Sequence, residues 1–264
     1  TAMDKKKFGR EDYLKYFDPV AFLKMYHSDI KGNEDEGDLM PWKMKTLHDV
    51  FAEGKLTGRR LLDIGTGPTI HSVISASNYC DNIYLSDFTP QNRDILRKWL
   101  DGSLEHSFKS FFQYVVDEEG KGTSPSCREE ELRKKICAIL PIDLLEEEPL
   151  APCYFPRFDL VTTSFCLDAV ALDHVDYDLA AQKITNLLKI GGHLIVCGLH
   201  GESVYQVGEH VFKNCQVSVA QVKDIWTRCG FDIVDWREKE SNMPRNNTML
   251  ILDGFFVMVA KRVR

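Results

Sequence analysis

An apolar run, Arg60-Leu61-Leu62-Asp63-Ile64, breaks into Gly65-Thr66-Gly67-Pro68-Thr69, and a second run, Asn82-Ile83-Tyr84-Leu85-Ser86-Asp87, follows after one helix-sized interval. A strand that hands over to a helix through glycines and returns as another strand begins a doubly wound parallel sheet, whose ligands bind at the carboxyl ends of the strands. A dinucleotide fingerprint would place a third glycine for close helix packing; Thr69 and Ile70 stand there instead, and a proline intrudes. The loop therefore suits an adenosine with a short zwitterionic tail better than a diphosphate. Asp87, ending the second strand, is placed to take both ribose hydroxyls, and Asp143, after the third, to accept from the adenine amino group. Taken singly, Gly65 and Gly67 make only a tight turn and Asp87 only a helix cap; their joint placement points to a ligand.

The alternation continues along the chain. Thr89-Pro90 predicts the start of a helix through Ile95, Leu96, Trp99 and Leu100. Strands are predicted from Ile136 to Leu140 and from Asp159 to Thr163, then a helix from Asp176 to Lys189 stopped by Gly191-Gly192, and a strand from His193 to Cys197. Ser218 and Gln221 predict a capping box on a helix ending at Cys229-Gly230. Phe231 to Trp236 and Phe255 to Ala260 read as strands close enough for an antiparallel pair. The fold class is α/β: about seven strands in a mostly parallel sheet, the last one antiparallel, with helices on both faces. One domain spans 1–264, with an N-terminal helical arm over 1–55 and a core over 56–264. The arm's helices open at Asp18-Pro19 and Pro41, and the acidic stretch from Gly32 to Asp38 reads as the hinge of a lid. Residues 101–135, polar and carrying the charged run 128–135, read as an insertion with a solvated helix face.

Composition removes several function classes. With 44% hydrophobic and 28% charged residues, the chain can bury a sizeable core, which excludes disordered and fibrous classes. Lys and Arg total 33 against 40 Asp and Glu, a net charge of -7, so no nucleic-acid partner is expected. No apolar stretch nears the roughly 20 residues of a membrane span, so no membrane partner is expected either. The eight cysteines include no C-x-x-C pair and several sit in apolar runs, which reads as free thiols in the cytoplasm. Thr1-Ala2-Met3 ahead of a lysine run reads as a tag remnant before a native start without a signal peptide. A monomer is expected.

Further segments carry a resemblance. Tyr16-Phe17-Asp18-Pro19, Pro41-Trp42-Lys43, Leu62-Asp63-Ile64-Gly65-Thr66-Gly67-Pro68-Thr69, Ser86-Asp87-Phe88, Asn92, Leu140-Pro141-Ile142-Asp143, Phe165-Cys166-Leu167-Asp168-Ala169 and Gly191-Gly192-His193-Leu194 are the residues concerned. Over nearly the whole chain they resemble the S-adenosylmethionine-dependent small-molecule amine N-methyltransferases, the class of the nicotinamide, phenylethanolamine and indolethylamine enzymes. Asp-x-Gly-x-Gly alone indicates only some methyltransferase, whereas the continuation Pro-Thr-Ile and the Phe-Cys-Leu-Asp-Ala segment are more specific. The resemblance implies a Rossmann-like class I methyltransferase fold, S-adenosyl-L-methionine as cofactor with S-adenosyl-L-homocysteine as product, and no metal. It implies a cofactor site with Gly65, Thr66, Gly67 and Thr69 around the methionine tail and Tyr13 over its carboxylate end. Asp87 would take the ribose, with Phe88 and Asn92 nearby, Asp143 and Leu144 the adenine, and Ser164 would contribute from the fourth strand. Phe22, His27 and His71 join this site where members commonly carry tyrosine; the lost hydroxyls would loosen cofactor binding, although His71 can still stack or donate.

N-methylation asks a protein to orient two reactants, exclude water and manage one proton. An alkylammonium must lose a proton before it attacks, and a carboxylate can hold it and pass that proton to water. Asp168 and Glu202 fall just after the fourth and fifth strands, at the ligand-binding edge. In phenylethanolamine-type members acidic residues there engage the amine, and the resemblance implies that catalytic role here. Lys43, Phe165, Tyr205 and Met243 match positions lining the aromatic pocket of that branch, with Phe165 and Tyr205 placed to sandwich a ring. The nicotinamide branch would have an aspartate at Gly198 and a serine at Asn214, and this chain has neither. The expected substrate is a small arylalkylamine, phenylethanolamine-like or indolethylamine-like. Pyridine N-methylation of the nicotinamide type, or cofactor binding with weak catalysis, are the alternatives. Mg²⁺-dependent O-methylation through Asp168, Asp173 and His174 is a further one, with a solvated loop the simpler reading of the last two.

Overall fold

The computed structural model describes residues 10–32, 38–54, 56–242 and 250–264. Three helices come first: α1 (Arg10–Tyr16), α2 (Pro19–Tyr26) and α3 (Leu39–Gly54). Then follow β1 (Gly58–Ile64), α4 (His71–Ile74), β2 (Cys80–Asp87), α5 (Pro90–Asp101), α6 (Lys109–Glu119), α7 (Pro125–Lys135), β3 (Ile136–Pro141) and β4 (Phe158–Ser164). The chain closes with α8 (Leu167–Val170), α9 (His174–Leu187), β5 (Leu188–Val207), β6 (His210–Lys213), α10 (Val219–Arg228), β7 (Phe231–Glu240) and β8 (Leu250–Arg262).

The sheet runs β3-β2-β1-β4-β5-β8-β7, with β6 paired to β5 off this path. β1 pairs with β2 and β4 in parallel, as do β2 with β3 and β4 with β5, whereas β8 is antiparallel to both β5 and β7. The expected α/β class and antiparallel last strand are thus present, with an eighth strand, β6, added. Strand order reverses between β1 and β4, which opens a crevice at their carboxyl ends.

Parallel strands covered on both faces read as continuous apolar runs, because successive side chains face two different cores. Leu61 and Ile195 face one core with Met44, Phe51, Trp99, Phe111 and Leu132 from α3, α5, α6 and α7. Leu62, Val196, Phe256 and Met258 face the other with Tyr177, Ile184, Ile225 and Trp226 from α9 and α10. Each large side chain buried in these cores contributes roughly 1.5–3 kcal/mol.

Three of the helix starts expected from local chemistry are capped as their residue types require, whereas α3 begins at Leu39, ahead of Pro41, and α9 at His174, ahead of Asp176. The Asp18 carboxylate accepts from the Val20 and Ala21 N–H groups, the Thr89 hydroxyl from Asn92, and Ser218 forms the capping box with Gln221. The stretch 101–135 differs from the expected solvated insertion. Phe111, Phe112 and Val115 of α6 are wholly buried, and Arg128 of α7 is buried between Glu119, at 3.2 Å, and the Ile74 carbonyl, at 2.7 Å. Both helices therefore belong to the crossover from β2 to β3; Glu130, Glu131 and Lys134 alone in the run are exposed. In the N-terminal arm, α3 is core, since Met44 and Phe51 are fully buried, while α1 and α2 lie over the crevice. All eight cysteines are free.

Candidate active site

Past β1 the chain turns through Gly65 (φ +66°) and Gly67 (φ +68°), a region that side chains with a Cβ enter at a cost. A Cβ on Gly65 would press into Cys166, whereas one on Gly67 would meet nothing within 4 Å and would project into open space. The loop is tied to β2 by the Thr66 N–H, which donates to the Ser86 carbonyl at 2.9 Å, and by the Gly67 N–H, which donates to Asp87 Oδ2 at 2.8 Å. Asp87 Oδ1 accepts from the Thr89 N–H, the Thr89 hydroxyl and Asn92 Nδ2 at 2.9, 3.1 and 3.0 Å. Burial raises the Asp87 pKa, while these donors oppose the shift. Asp63, beneath the loop, takes a 2.6 Å bond from Thr162, and burial pushes its pKa up to about 6.

One cavity extends from this loop. Its wall includes every residue expected at the cofactor: Tyr13, Phe22, His27, Gly65, Thr66, Gly67, Thr69, His71, Asp87, Phe88, Asn92, Asp143, Leu144 and Ser164. Phe165 and Tyr205, expected at the substrate, line it too. Phe165 sits at φ 53°, a strain of about 1–2 kcal/mol for a residue with a side chain, stabilised by its N–H bond to the Cys197 carbonyl at 2.8 Å. The roof is aromatic: the Tyr13 and Tyr205 hydroxyls meet, Tyr205 stacks on Phe212 with centroids 5.4 Å apart, and Phe22 lies 5.0 Å from His27.

Lys43 does not reach the cavity wall. Its ammonium is buried 2.7 Å from His71 Nε2 and 4.6 Å above the Phe165 ring, and burial pushes its pKa down to about 8. His27 and His71 lie 5.0 Å apart, centroid to centroid, and burial holds both well below the usual imidazole range, with the Lys43 charge adding to the effect. Both rings are neutral, so His71 Nε2 accepts from Lys43 and Nδ1 carries the hydrogen.

Asp168, in the short helix α8, is also behind the wall, 1% exposed between the wall residues Cys166 and Ala169. Oδ2 accepts from the Leu199 N–H at 3.2 Å, Oδ1 has no partner, and burial pushes the pKa up to about 7. Met243 and the side chain of Glu202 lie outside the described residues; Glu202 is placed by its backbone on β5. Asp173 caps α9 through the Val175 and Asp176 N–H groups, which gives it the structural role rather than that of an ion ligand. Sequence reading missed Phe17, Tyr26, Ser203 and Leu252, all on the wall, and noted Asn214, also there, only as a departure from the nicotinamide branch.

The wall fits an adenosine with a zwitterionic tail. His71 Nδ1 and Asn92 Oδ1 are buried without partners beside the loop, and Gly67 leaves space where any other residue would intrude.

The chain matches the NNMT/PNMT/TEMT family over residues 5–263. It is 36% identical over 228 residues to phenylethanolamine N-methyltransferase of Macaca mulatta, covering 84% of this chain and 80% of that one. It is 30% identical over 256 residues to nicotinamide N-methyltransferase of Homo sapiens, covering 97% and 96%. Indolethylamine N-methyltransferase of Oryctolagus cuniculus is 32% identical over 226 residues, covering 85% and 86%. Among solved structures, a SAM-dependent methyltransferase from Methanosarcina mazei shares the fold, with a TM-score of 0.55 at 16% identity over 81% of this chain and 97% of that one.

Proposed function

The chain belongs to the NNMT/PNMT/TEMT family of S-adenosylmethionine-dependent N-methyltransferases, and from that premise we propose that it methylates the amine nitrogen of a small arylalkylamine. The observation that carries this reading is one cavity joining the glycine loop to an aromatic wall, with an acid buried behind it and unpartnered at Oδ1. S-adenosylmethionine, when bound, supplies a methyl group on a cationic sulfur.

The protein's own residues do the rest. Gly67 leaves the approach open, Asp87 offers a carboxylate oxygen to hydroxyl donors, and Asn92 and His71 offer their free polar atoms to the ligand's polar groups. Tyr13, Phe22, Phe165, Tyr205 and Leu252 exclude water from the reacting nitrogen and take the flat face of a ring. Asp168, held near neutrality, is poised to accept an ammonium proton at ordinary pH. Glu202, at the same edge of the sheet, is the second acid in this reading.

The nicotinamide alternative meets a steric objection. The aspartate that would help to place the carboxamide belongs at position 198, where any Cβ would lie 2.5 Å from the Phe256 ring. The eight free cysteines and the charge of -7 support a cytoplasmic enzyme without a nucleic-acid partner, which we read as a monomer. Among the described residues, no helix is long and apolar enough to cross a membrane.

Mass-spectrometric methyl transfer from S-adenosylmethionine to phenylethanolamine, phenylethylamine, tryptamine, serotonin and nicotinamide, with and without EDTA, tests the reading. Alkylamine turnover insensitive to EDTA is expected; turnover of nicotinamide alone overturns it.

A further inference from the structure

Two buried acceptors on the cavity wall, Ser203 Oγ and Asn214 Oδ1, have no partner, and neither has a third, Asp168 Oδ1, behind the wall. Their residues are only 2%, 5% and 1% exposed, so bulk water does not serve them. A buried acceptor without a donor is costly, and three in one neighbourhood point to a ligand rich in N–H or O–H groups.

Backbone pairing holds the three together. The Cys215 N–H donates to the Asp168 carbonyl at 2.7 Å, and the Leu199 N–H donates to Asp168 Oδ2, so α8 is tied to β5 and to the segment leaving β6. Val204 faces Lys213 and Tyr205 faces Phe212 across the β5–β6 pair, and the next rung brings Ser203 opposite Asn214, whose N–H donates to the Ser203 carbonyl at 3.2 Å. Opposed residues of an antiparallel pair project from the same face, with Cβ atoms about 4.5–5.5 Å apart. Ser203 and Asn214 both line the cavity, one same-face step from the stacked rings of Tyr205 and Phe212. A polar rung therefore adjoins an aromatic one, with the acid alongside.

We propose that Ser203 and Asn214 read the number of N–H bonds on the substrate nitrogen and so restrict the enzyme to primary amines and a single methylation. This rests on the amine-methylating reading above. A primary ammonium enters with three N–H bonds. One proton passes through a water molecule to Asp168 Oδ1 behind the wall: the N–H bond breaks, the water gains that proton and gives up another to form the carboxyl O–H, and the electron pair stays on nitrogen as the nucleophilic lone pair. The two remaining N–H groups donate to Ser203 Oγ and Asn214 Oδ1, and Asp168 later returns its proton to water. A secondary amine has one N–H fewer at the same stage and leaves one acceptor buried and unpaired. Sites built around a substrate hydrogen bond reject analogues that lack it.

The test compares kcat/KM for phenylethylamine with N-methylphenylethylamine, and for tryptamine with N-methyltryptamine, in the wild type, Ser203→Ala and Asn214→Val. The wild type should prefer the primary member by about 10–100-fold. Each variant should bring that ratio toward unity by losing turnover of the primary amine while keeping that of the secondary one. Retained secondary turnover shows that the variant is folded. A wild-type ratio near one, or a ratio unchanged in both variants, overturns this inference and leaves the broader reading intact. No turnover of either member, with S-adenosylhomocysteine still bound, overturns both.

Discussion

Replacing Gly65 with alanine separates two costs that the loop geometry imposes. The first is backbone: at φ +66° a Cβ costs about 1–2 kcal/mol. The second is space: the new methyl would lie 2.5 Å from the Cβ of Cys166 and closer still to its Sγ, an overpacking of about 1–3 kcal/mol. Gly65→Ala should therefore lose roughly 2–5 kcal/mol, the sum of both. Gly67→Ala shares the backbone cost at φ +68° but meets nothing within 4 Å, so it should lose only about 1–2 kcal/mol. Cys166→Gly removes both crowding atoms and leaves the Cys166 Cα at an ordinary 3.8 Å. Urea unfolding of Gly65→Ala, Cys166→Gly and the double variant closes a thermodynamic cycle, in which the double should recover about 1–3 kcal/mol over additivity. Ligand affinity should rank the other way: Gly67→Ala keeps more stability yet binds S-adenosylhomocysteine worse than the Gly65→Ala/Cys166→Gly double. Coupling under about 0.5 kcal/mol would refute the steric account of Gly65.

Further outcomes follow from the same geometry. Asp87→Ala strands the buried Thr89 N–H, at about 1–3 kcal/mol, and should also weaken S-adenosylhomocysteine binding in calorimetry. Asp168 holds a proton in the native state up to about pH 7 that the unfolded chain releases near pH 3.8. Its contribution to stability therefore declines as pH rises through that window, and urea titrations at pH 5 and 7.5 should show Asp168→Asn removing the decline. Lys43 has the opposite sign: its native pKa of about 8 lies below the ordinary 10.5, so its contribution rises with pH between those values, and Lys43→Met should flatten the rise. Arg128→Met leaves the buried Glu119 carboxylate without its cation, with only the Asn78 amide still donating to it, and should cost about 3–5 kcal/mol in urea unfolding, much of which Glu119→Gln should restore.

What could be read from the chain depended on how local the deciding interaction was. Asp18, Thr89 and Ser218 announce helix starts because each bonds to N–H groups within a few residues. The glycine loop and Asp87 were legible because strand, turn and strand lie close in sequence. Phe111, Phe112, Val115 and Val116 repeat at helical spacing and are buried in α6, but the expectation for 101–135 rested on the charges downstream, which say nothing of that face. Arg128 is buried through a pairing with Glu119 of the preceding helix, which no charge run discloses. β6 is four residues bounded by polar ones, and its strand character comes from its partner β5. Within the site, the sequence placed Asp168 at the sheet edge but not its turn toward the Leu199 N–H behind the wall. Ser203 is an ordinary polar residue until the hairpin brings it face to face with Asn214, a position that the sequence marked only by its departure from the nicotinamide branch.

The place of β8 bears on how the molecule assembles. The last of the described strands is seated inside the sheet, between β5 and β7, and among the described residues β7 pairs with no other strand. Until residues 250–262 are available, the long β5 carries an open edge and β7 is a strand without a sheet. A chain that lacks β8 would thus carry exposed pairing groups, the state most prone to mispairing between neighbours. Removing β8 would split the sheet at its interior instead of shortening one edge.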